Sequence, residues 1–502
     1  MKLMGKTTIL DRVERFGDKI PHPFYMFIFL CLGVVCLSWW VSRVSSGVIH
    51  PGSGELIQVK NLLSAEGLVY ILQSTVDNFI QFKPLGLVLC MMMAVGFLQE
   101  VGLADAAIKT LLLNAPRRLI TASIFTVGIL GNLASDAAFV LVPPLAGIVF
   151  AATNRHPIVG ICAGFVAVAA GFTANFFIAG TDVLLSGITN AAAASVGDVA
   201  LTPAANWYFM ILSVPILVVL GTVMTDFYIE PRFMRRYGAS AAQAQAHEDT
   251  AAFQVGPLEK RALQYTLVVA LLYMGLILLL ILPSGAILAN ADGGLVPSPF
   301  LNGIIPIIMG FFLLCSLTYA LAVKVITRWD DVPALMGRAM SHIGGYVVLV
   351  FVIAQFIAWF NWSNLSVFFA VNGADWLSGM ALPNVVMLGG LMVLAGLLNL
   401  IVFSGSAQWS IMAPVFVPLF MLLGMEPAVI QMAYRIGDST TNIISPTNPY
   451  IPMVLALIAQ HDARVKFGTF LSMMLPYAVL FLSIWGSIFL IYQALGLPVG
   501  PA

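Results

Sequence analysis

Residues 131–147 read GNLASDAAFVLVPPLAG, an apolar stretch that carries Asn, Ser and Asp near its start and paired prolines further on. The next apolar stretch begins at Pro157 and is interrupted about four helical turns later by GFTANFF at 171–177. The first stretch is too polar at its centre for a plain transmembrane helix. Gly, Thr and Asn in the second predict that its helix breaks inside the membrane.

The same order of features recurs about 270 residues further along the chain. Residues 398–420 read LNLIVFSGSAQWSIMAPVFVPLF, and the helix that follows is interrupted by GDSTTN at 437–442 and SPTNP at 445–449. In both copies, a proline in the hairpin lies 13 residues before the proline that opens the next helix. The pairs are Pro144 with Pro157 and Pro414 with Pro427. Paired, interrupted hydrophobic segments in two halves of a chain indicate the binding site of a secondary transporter.

Composition predicts a membrane protein. Hydrophobic residues make up 60% of the 502 residues, charged residues 9%, and the mean hydropathy is +0.96, whereas about a quarter of a soluble domain is charged. Lys+Arg and Asp+Glu balance at 23 each, so no strongly basic surface favours nucleic acid. We therefore expect membrane lipid around the chain and no nucleic-acid partner.

Hydropathy predicts an all-α polytopic membrane protein with nine transmembrane helices and two re-entrant helical hairpins. The hairpins are the apolar stretches 120–153 and 385–424, because paired prolines and polar centres favour entry and exit on one side of the membrane. The nine spans are predicted near 24–44, 84–101, 157–190, 206–226, 262–283, 299–322, 343–362, 427–460 and 467–494.

The distribution of Lys and Arg predicts the orientation. Basic residues flank the first hairpin and fill the N-terminal segment and the 227–261 loop, whereas the predicted outer loops hold one Lys, Lys60. We therefore expect an inner-membrane protein with a cytoplasmic N-terminus and a periplasmic C-terminus. This agrees with nine crossings only if both hairpins are re-entrant. The first then opens from the cytoplasm and the second from the outside, as in an inverted-topology repeat. The predicted parts are a cytoplasmic segment 1–23, membrane halves 24–226 and 262–502, and the cytoplasmic loop 227–261.

Four ionisable residues are predicted at membrane depth, namely Asp136, Asp182, Arg435 and Asp438. Charges there are unfavourable and are functional by default. Arg435 and Asp438 lie three residues apart on one helix, so they share a face. They either form a structural ion pair or have a functional role at the helix break that follows. Asp182 is either a site residue or a water-accessible residue at a helix end. Asp136 is either a site residue or a cap on the second hairpin helix.

Neutral side-chain oxygens cluster at both breaks and both hairpins. Half-helix C-termini and freed carbonyls bind cations, and half-helix N-termini attract anions. The paired arrangement favours four asparagines as ligands over ordinary helix–helix hydrogen bonds: Asn132, Asn175, Asn399 and Asn442. Ser135 and Ser406 add hydroxyls near the hairpin tips, and Trp409 either stacks on a flat substrate or packs in the core.

Enzyme signatures are absent from the sequence. It has no Walker A loop, no HExxH and no GxSxG, so we expect no enzyme and no catalytic residue. No His lies inside a predicted span, so carboxylates would have to carry any coupled proton. Sodium is the only cofactor that we expect, because neutral side-chain oxygens can bind it.

The chain resembles the aminobenzoyl-glutamate transporter (AbgT) family over essentially its whole length, in the motifs GNLASDAAFVLVPPLAG, AGFTANFFIAGTDVLLSGIT and YRIGDSTTNIISPTNPY. The resemblance implies a homodimer with nine spans and two re-entrant hairpins per protomer. It also implies transport of p-aminobenzoyl-glutamate or efflux of sulfonamide antimetabolites. The functional residues implied by the family motifs are Asp182, Asn399, Trp409, Pro427, Arg435 and Asp438.

Together these observations predict a secondary transporter driven by protons, with sodium as the alternative coupling ion. The coupling ion is expected at Asp182, Asp438 and Asn442, with the four asparagines as the sodium ligands if sodium is used. Two alternatives stay open: a sodium-coupled importer of dicarboxylates or aminobenzoyl-glutamate, and an ion channel. Substrate is expected to contact Asn132, Ser135, Asn175, Asn399, Ser406, Trp409, Pro427 and Arg435.

Overall fold

The computed structural model describes residues 22–49, 54–134, 136–197, 199–238, 255–283, 285–290, 298–341, 343–462 and 464–501. Within these ranges the chain is helical apart from connecting loops and one short ribbon. Three of the sequence expectations lie outside the described residues: the cytoplasmic segment up to residue 21, the hairpin residue Ser135 and the middle of the 227–261 loop.

The first half contains ten α-helices among its described residues. Between the first two, β1 (Val48–Ile49) pairs antiparallel with β2 (Leu56–Ile57). A π-helical turn over Met224–Ile229 joins the last two. The helices are α1 (Pro23–Val44), α2 (Ala65–Ile80), α3 (Lys83–Glu100), α4 (Leu103–Leu113), α5 (Ile120–Gly131), α6 (Asp136–Ala152), α7 (Pro157–Ala169), α8 (Gly180–Ala193), α9 (Trp207–Val223) and α10 (Glu230–Tyr237).

The second half is helical throughout its described residues. Proline stands in the first turn of several of these helices, where its fixed φ suits the helix and its missing N–H would have no partner. The helices are α11 (Pro257–Ile281), α12 (Pro299–Asn302), α13 (Ile304–Ala322), α14 (Asp331–Ser341), α15 (Gly344–Trp362), α16 (Leu365–Gly379), α17 (Asn384–Asn399), α18 (Gly405–Leu422), α19 (Pro427–Thr441), α20 (Ile451–His461) and α21 (Phe467–Ala494).

Eight helical segments within the described ranges are long and apolar enough to cross a membrane, which confirms the all-α polytopic class. The predicted spans 157–190 and 427–460 are not among the eight, because each consists of two short helices separated by a break. Helix α18 is among them, although its sequence belongs to the predicted second hairpin. The count of nine crossings and the re-entrant course of the hairpins stay predictions.

Each predicted hairpin is a pair of helices packed against the broken helix that follows it. α5 and α6 are joined by the short 3₁₀ turn Asn132–Ala134, and α17 and α18 by a loop. Glycine permits the close approach in both halves. A Cβ on Gly160 of α7 would lie 2.4 Å from the Ala146 carbonyl oxygen of α6, and one on Gly437 of α19 would lie 2.1 Å from the Met392 carbonyl oxygen of α17.

A half-buried charged cluster attaches the first hairpin to the π-helical turn. Arg155, in the loop between α6 and α7, donates to Asp226 at 2.5 Å and makes a bidentate pair with Glu230. Its third contact is to the Thr121 hydroxyl on α5 at 2.7 Å. Planar guanidinium groups suit such bidentate pairing, so one side chain connects the loop to the π-helical turn and to the first residue of α10.

Candidate functional site

Both helices are interrupted, and the interruptions lie against each other. The second break begins later than predicted, because residues 437–441 of GDSTTN stay helical and the helix ends only before Asn442. α7 stops at Ala169 and α8 starts at Gly180, while α19 stops at Thr441 and α20 starts at Ile451. The Asn442 amide donates to the Ala169 carbonyl at 3.2 Å, and the Thr173 and Ser439 hydroxyls lie 2.5 Å apart. The two halves of the chain therefore meet where their helices are interrupted.

A buried ion pair crosses the same region, but it does not join Arg435 to Asp438. Arg435 donates to the Asp182 carboxylate at 2.5 Å, and both side chains are 1% exposed. Arg435 also donates to the Thr173 carbonyl at 3.1 Å. Of the two alternatives left open for Arg435 and Asp438, the structure does not show the direct pair, because the guanidinium extends across the break to Asp182 at the start of α8.

Asp182 is tied into the helix end as well as to the arginine. Its second carboxylate oxygen accepts from the backbone N–H of Ala179 at 2.6 Å, which caps the N-terminus of α8. A carboxylate at that end also interacts favourably with the helix dipole. Asp182 is thus a buried, fully partnered residue and not one at a water-accessible helix end.

Asn132 and Asn399 occupy equivalent places in the two halves. Asn132 donates to the Val168 carbonyl at 3.0 Å, and Asn399 donates to the Asp438 carbonyl at 2.7 Å. Those carbonyls stand eleven residues after the proline that opens each broken helix. In both asparagines the side-chain oxygen is buried with no partner among the described residues. Asn399 also donates to Thr441 and Asn442.

Asp438 differs from the other buried carboxylate because it is not neutralised by a direct pair. Its Oδ1 is buried without a hydrogen-bond partner among the described residues. A Cβ added to Gly405, the first residue of α18, would lie 3.0 Å from Asp438 Oδ2. Glycine at that position lets the second hairpin begin its helix directly against the carboxylate, whereas a larger residue would require the carboxylate to shift by a few tenths of an ångström.

A cavity of about 240 Å³ opens beside Asp438. One wall is polar and comes from the second hairpin and the breaks, and the other is aromatic. Phe139 stacks on Tyr450 with ring centroids 4.2 Å apart. The cavity is lined by Phe139, Phe172, Thr173, Thr181, Leu184, Leu185, Phe403, Ser404, Gly405, Ser406, Asp438, Asn442, Pro449 and Tyr450.

Several predicted site residues do not line this cavity. Trp409 is fully buried, stacks on Tyr434 at 4.4 Å and donates to the Thr189 hydroxyl at 2.9 Å. Pro427 lines a separate cavity of about 530 Å³. The buried Asn175 accepts from the Phe177 N–H at 3.3 Å within its own loop. Asp136 begins α6, and its side chain lies outside the described set.

A series of buried hydrogen bonds connects Trp409 to Arg435. Thr189 donates to Gln431 at 2.6 Å, and Gln431 donates to Asn206 at 2.8 Å. Arg435 approaches the same Asn206 oxygen at 3.5 Å. Sequence reasoning missed Gln431, although its position one helical turn before Arg435 is the signal that could have found it.

Two helical hairpins that end beside two broken helices, whose breaks meet next to a buried carboxylate, form the architecture of a secondary transporter. The family described as "AbgT putative transporter family" matches residues 8–502. The chain therefore belongs to the AbgT transporter family.

Relatives of known name and structure match along nearly the whole chain. The p-aminobenzoyl-glutamate transport protein of Escherichia coli (strain K12) is 38% identical over 491 residues, which cover 97% of this chain and 95% of the relative. The crystal structure of the YdaH transporter of Alcanivorax borkumensis matches with a TM-score of 0.90 at 35% identity, covering 96% of this chain and all of that chain. Neisseria gonorrhoeae MtrF, described as illuminating a class of antimetabolite efflux pumps, matches with a TM-score of 0.91 at 36% identity, over 99% of this chain and 100% of MtrF.

Proposed function

We propose that this transporter moves p-aminobenzoyl-glutamate-like folate catabolites, sulfonamide antimetabolites, or both across the cell inner membrane. The observation that carries the proposal is the cavity beside Asp438, which joins aromatic and polar walls at the meeting of the two breaks. Such a cavity suits a flat aryl group that bears a polar tail. The names of the E. coli and N. gonorrhoeae relatives supply the two substrate classes.

The polar tail of the substrate would bind at the start of α18. Ser404 caps that helix, and Ser406 lies in its first turn, so hydroxyls and free backbone N–H groups adjoin the cavity. A helix N-terminus attracts carboxylate and sulfonyl oxygens through its dipole and its unpaired N–H groups. The stacked pair of Phe139 and Tyr450 would cover the aryl face.

The coupling ion is proposed to be the proton, carried by Asp438. A buried carboxylate with an unpartnered oxygen is disfavoured as an anion in low dielectric, so it gains from holding a proton. Protonation would also remove the repulsion between Asp438 and a substrate carboxylate in the same cavity. Substrate binding and proton binding would then favour each other.

Sodium is the alternative coupling ion, because the unpartnered oxygens of Asn399 and Asp438 adjoin the same helix end. Asn442 would complete that site, and Asn132 and Asn175 would provide its counterpart in the first half. The described residues contain no group of three or more His, Cys, Asp or Glu side chains that could hold a metal ion. Neutral oxygens would therefore have to supply most of the five or six ligands that a hard cation needs.

The proposed orientation places the N-terminus in the cytoplasm and the C-terminus in the periplasm, with the first hairpin entered from inside and the second from outside. Inverted repeats of this kind support alternating access. A homodimer is proposed as the working unit. The resemblance to the AbgT family supports this.

Flux into proteoliposomes, with proton and sodium gradients imposed separately, tests the proposal. We expect p-aminobenzoyl-glutamate or a sulfonamide to accumulate against its gradient only while the proton gradient exists. Asp438→Asn should keep the shape of the site and abolish coupling, whereas the control Asp77→Asn on α2 should transport normally. Flux that survives an uncoupler at fixed sodium and stops when choline replaces sodium would assign sodium instead. Conductance without accumulation would identify a channel.

A further inference from the structure

A second cavity of about 210 Å³ adjoins the first and shares three lining residues with it, Phe172, Thr181 and Leu184. It lies at the tip of the first hairpin, whereas the first cavity lies at the tip of the second. Its remaining lining comes from α3, the 3₁₀ turn, the start of α8 and α15, namely Val88, Met92, Val95, Asn132, Leu133, Ala179, Gly180, Ile343 and Tyr346.

Two polar groups in this cavity have no partner among the described residues. The Asn132 amide oxygen is unpaired, although its side chain is only 7% exposed, and the Tyr346 hydroxyl is also buried and unpaired. The nitrogen of the Asn132 amide is fully used, since it donates to three backbone carbonyls. Asn132 can therefore offer the cavity an acceptor and nothing else.

The chemistry of this lining differs from that of the first cavity. None of the described residues that line it is charged, and besides Asn132 the polar side chains are the hydroxyls of Thr181 and Tyr346. A carboxylate would lack compensation here, because burying an unpaired charge is strongly unfavourable. A small neutral donor would satisfy the Asn132 oxygen, and Met92 and Phe172 would pack against an attached ring.

We propose that the second cavity binds the primary aromatic amine of the substrate, with Asn132 and Tyr346 as its hydrogen-bonding partners. An aniline-type nitrogen is uncharged near neutral pH and carries two hydrogens, which matches one acceptor and one hydroxyl. The aryl ring would extend past Phe172, so that the polar tail reaches the start of α18 in the first cavity. This proposal rests on the proposed substrate class, since both candidate classes carry a para-amino aryl group.

Binding to the purified full-length protein, measured by calorimetry, tests the amine directly and does not depend on the coupling ion. The probes are p-aminobenzoyl-glutamate and benzoyl-glutamate, which differ only in the amino group. We expect the wild-type protein to bind the amino compound roughly three- to tenfold more tightly, as one net hydrogen bond implies. Tyr346→Phe should reduce that ratio, mainly by weakening the binding of the amino compound.

Tyr70→Phe is the matched control, because the Tyr70 hydroxyl lies near the Ala358 carbonyl, outside both cavities. It should leave the ratio unchanged. Equal binding of the two probes by the wild-type protein, or an unchanged ratio in Tyr346→Phe, would overturn the proposal and leave a cavity that holds only water. If neither probe binds the wild-type protein, p-aminobenzoyl-glutamate fails as the substrate, and sulfanilamide compared with benzenesulfonamide decides the amine proposal in the same way.

Discussion

The guanidinium of Arg435 and the carboxylate of Asp182 lie 2.5 Å apart, although 253 residues separate them in the chain. One residue belongs to the broken helix of the second half and the other to the start of α8 in the first. The pair therefore fastens the two halves to each other at the breaks, and it leaves Asp438 as the carboxylate that faces the cavity.

Removing one partner of this pair should destabilise the protein strongly. Asp182→Asn leaves a buried, uncompensated guanidinium, and a loss of about 3–5 kcal/mol in the free energy of unfolding is expected. The double variant Arg435→Gln with Asp182→Asn should recover part of that loss, because no net charge stays buried. Thermal unfolding of the solubilised variants checks both; single variants as stable as wild type would exclude a structural bridge.

Replacement of Trp409 separates packing from substrate stacking. Trp409→Phe keeps a ring against Tyr434 but loses the hydrogen bond to Thr189, so stability should fall by about 1 kcal/mol while substrate affinity changes little. Trp376, which is 64% exposed, provides the control substitution Trp376→Phe. Substrate binding weakened tenfold by Trp409→Phe at unchanged stability would instead assign Trp409 to the substrate.

Glycine at position 437 is expected to be indispensable for packing. In Gly437→Ala the new Cβ would meet the Met392 carbonyl at 2.1 Å, so α17 and α19 must separate. Destabilisation by about 1–3 kcal/mol is expected, with loss of transport because Asp438 moves with the helix. Gly390→Ala on α17 is the control, since nothing lies within 4 Å of its Cβ. Equal melting temperatures for the two variants would refute the prediction.

Acid should destabilise the loop before α7. Burial, with a further contribution from His461, lowers the pKa of His156 to about 4 against the opposing effect of Asp462. Between pH 6.5 and 4 the unfolded chain takes up this proton and the folded one does not, so the free energy of unfolding falls as the pH drops, by up to about 3 kcal/mol.

His156→Asn keeps a capping acceptor at the start of α7 and removes the titration. Melting temperatures measured between pH 7.5 and 4.5 should therefore fall less steeply for this variant than for wild type. Parallel curves would place the acid sensitivity in another group.

Sequence alone located the first break at 171–177 and the SPTNP part of the second at 445–449, because clustered Gly, Thr and Asn weaken a helix. The prediction that GDSTTN also interrupts the helix was wrong for residues 437–441, which stay helical where Gly437 packs against α17. Helices α2, α4 and α14 were missed, since they are short or carry polar residues that weaken the hydropathy signal. The partner of Arg435 was missed for a different reason. Spacing along one helix favours Asp438, whereas the actual partner becomes adjacent only when the two halves pack together.

The site residues also divide into those that sequence position identifies and those that depend on how the helices pack. Ser406, Asp438 and Asn442 do line the cavity, and their motif positions at a hairpin tip and a break were sufficient to find them. The aromatic wall formed by Phe139 and Tyr450 was not foreseen, because isolated aromatic residues in an apolar sequence carry no positional signal. Its existence depends on how α6 packs beside the second break.

Helix α11 is mostly exposed and helix α19 is fully buried, and this difference constrains the order in which the helices insert into the membrane. α11 buries few residues yet is strongly apolar, so it can partition into the bilayer as it leaves the ribosome. Every residue of α19 is buried, including Arg435, Asp438 and several Ser and Thr side chains. Lipid cannot satisfy those groups. During biosynthesis α19 must therefore enter the membrane together with helices already inserted, which makes completion of the site a late step of assembly.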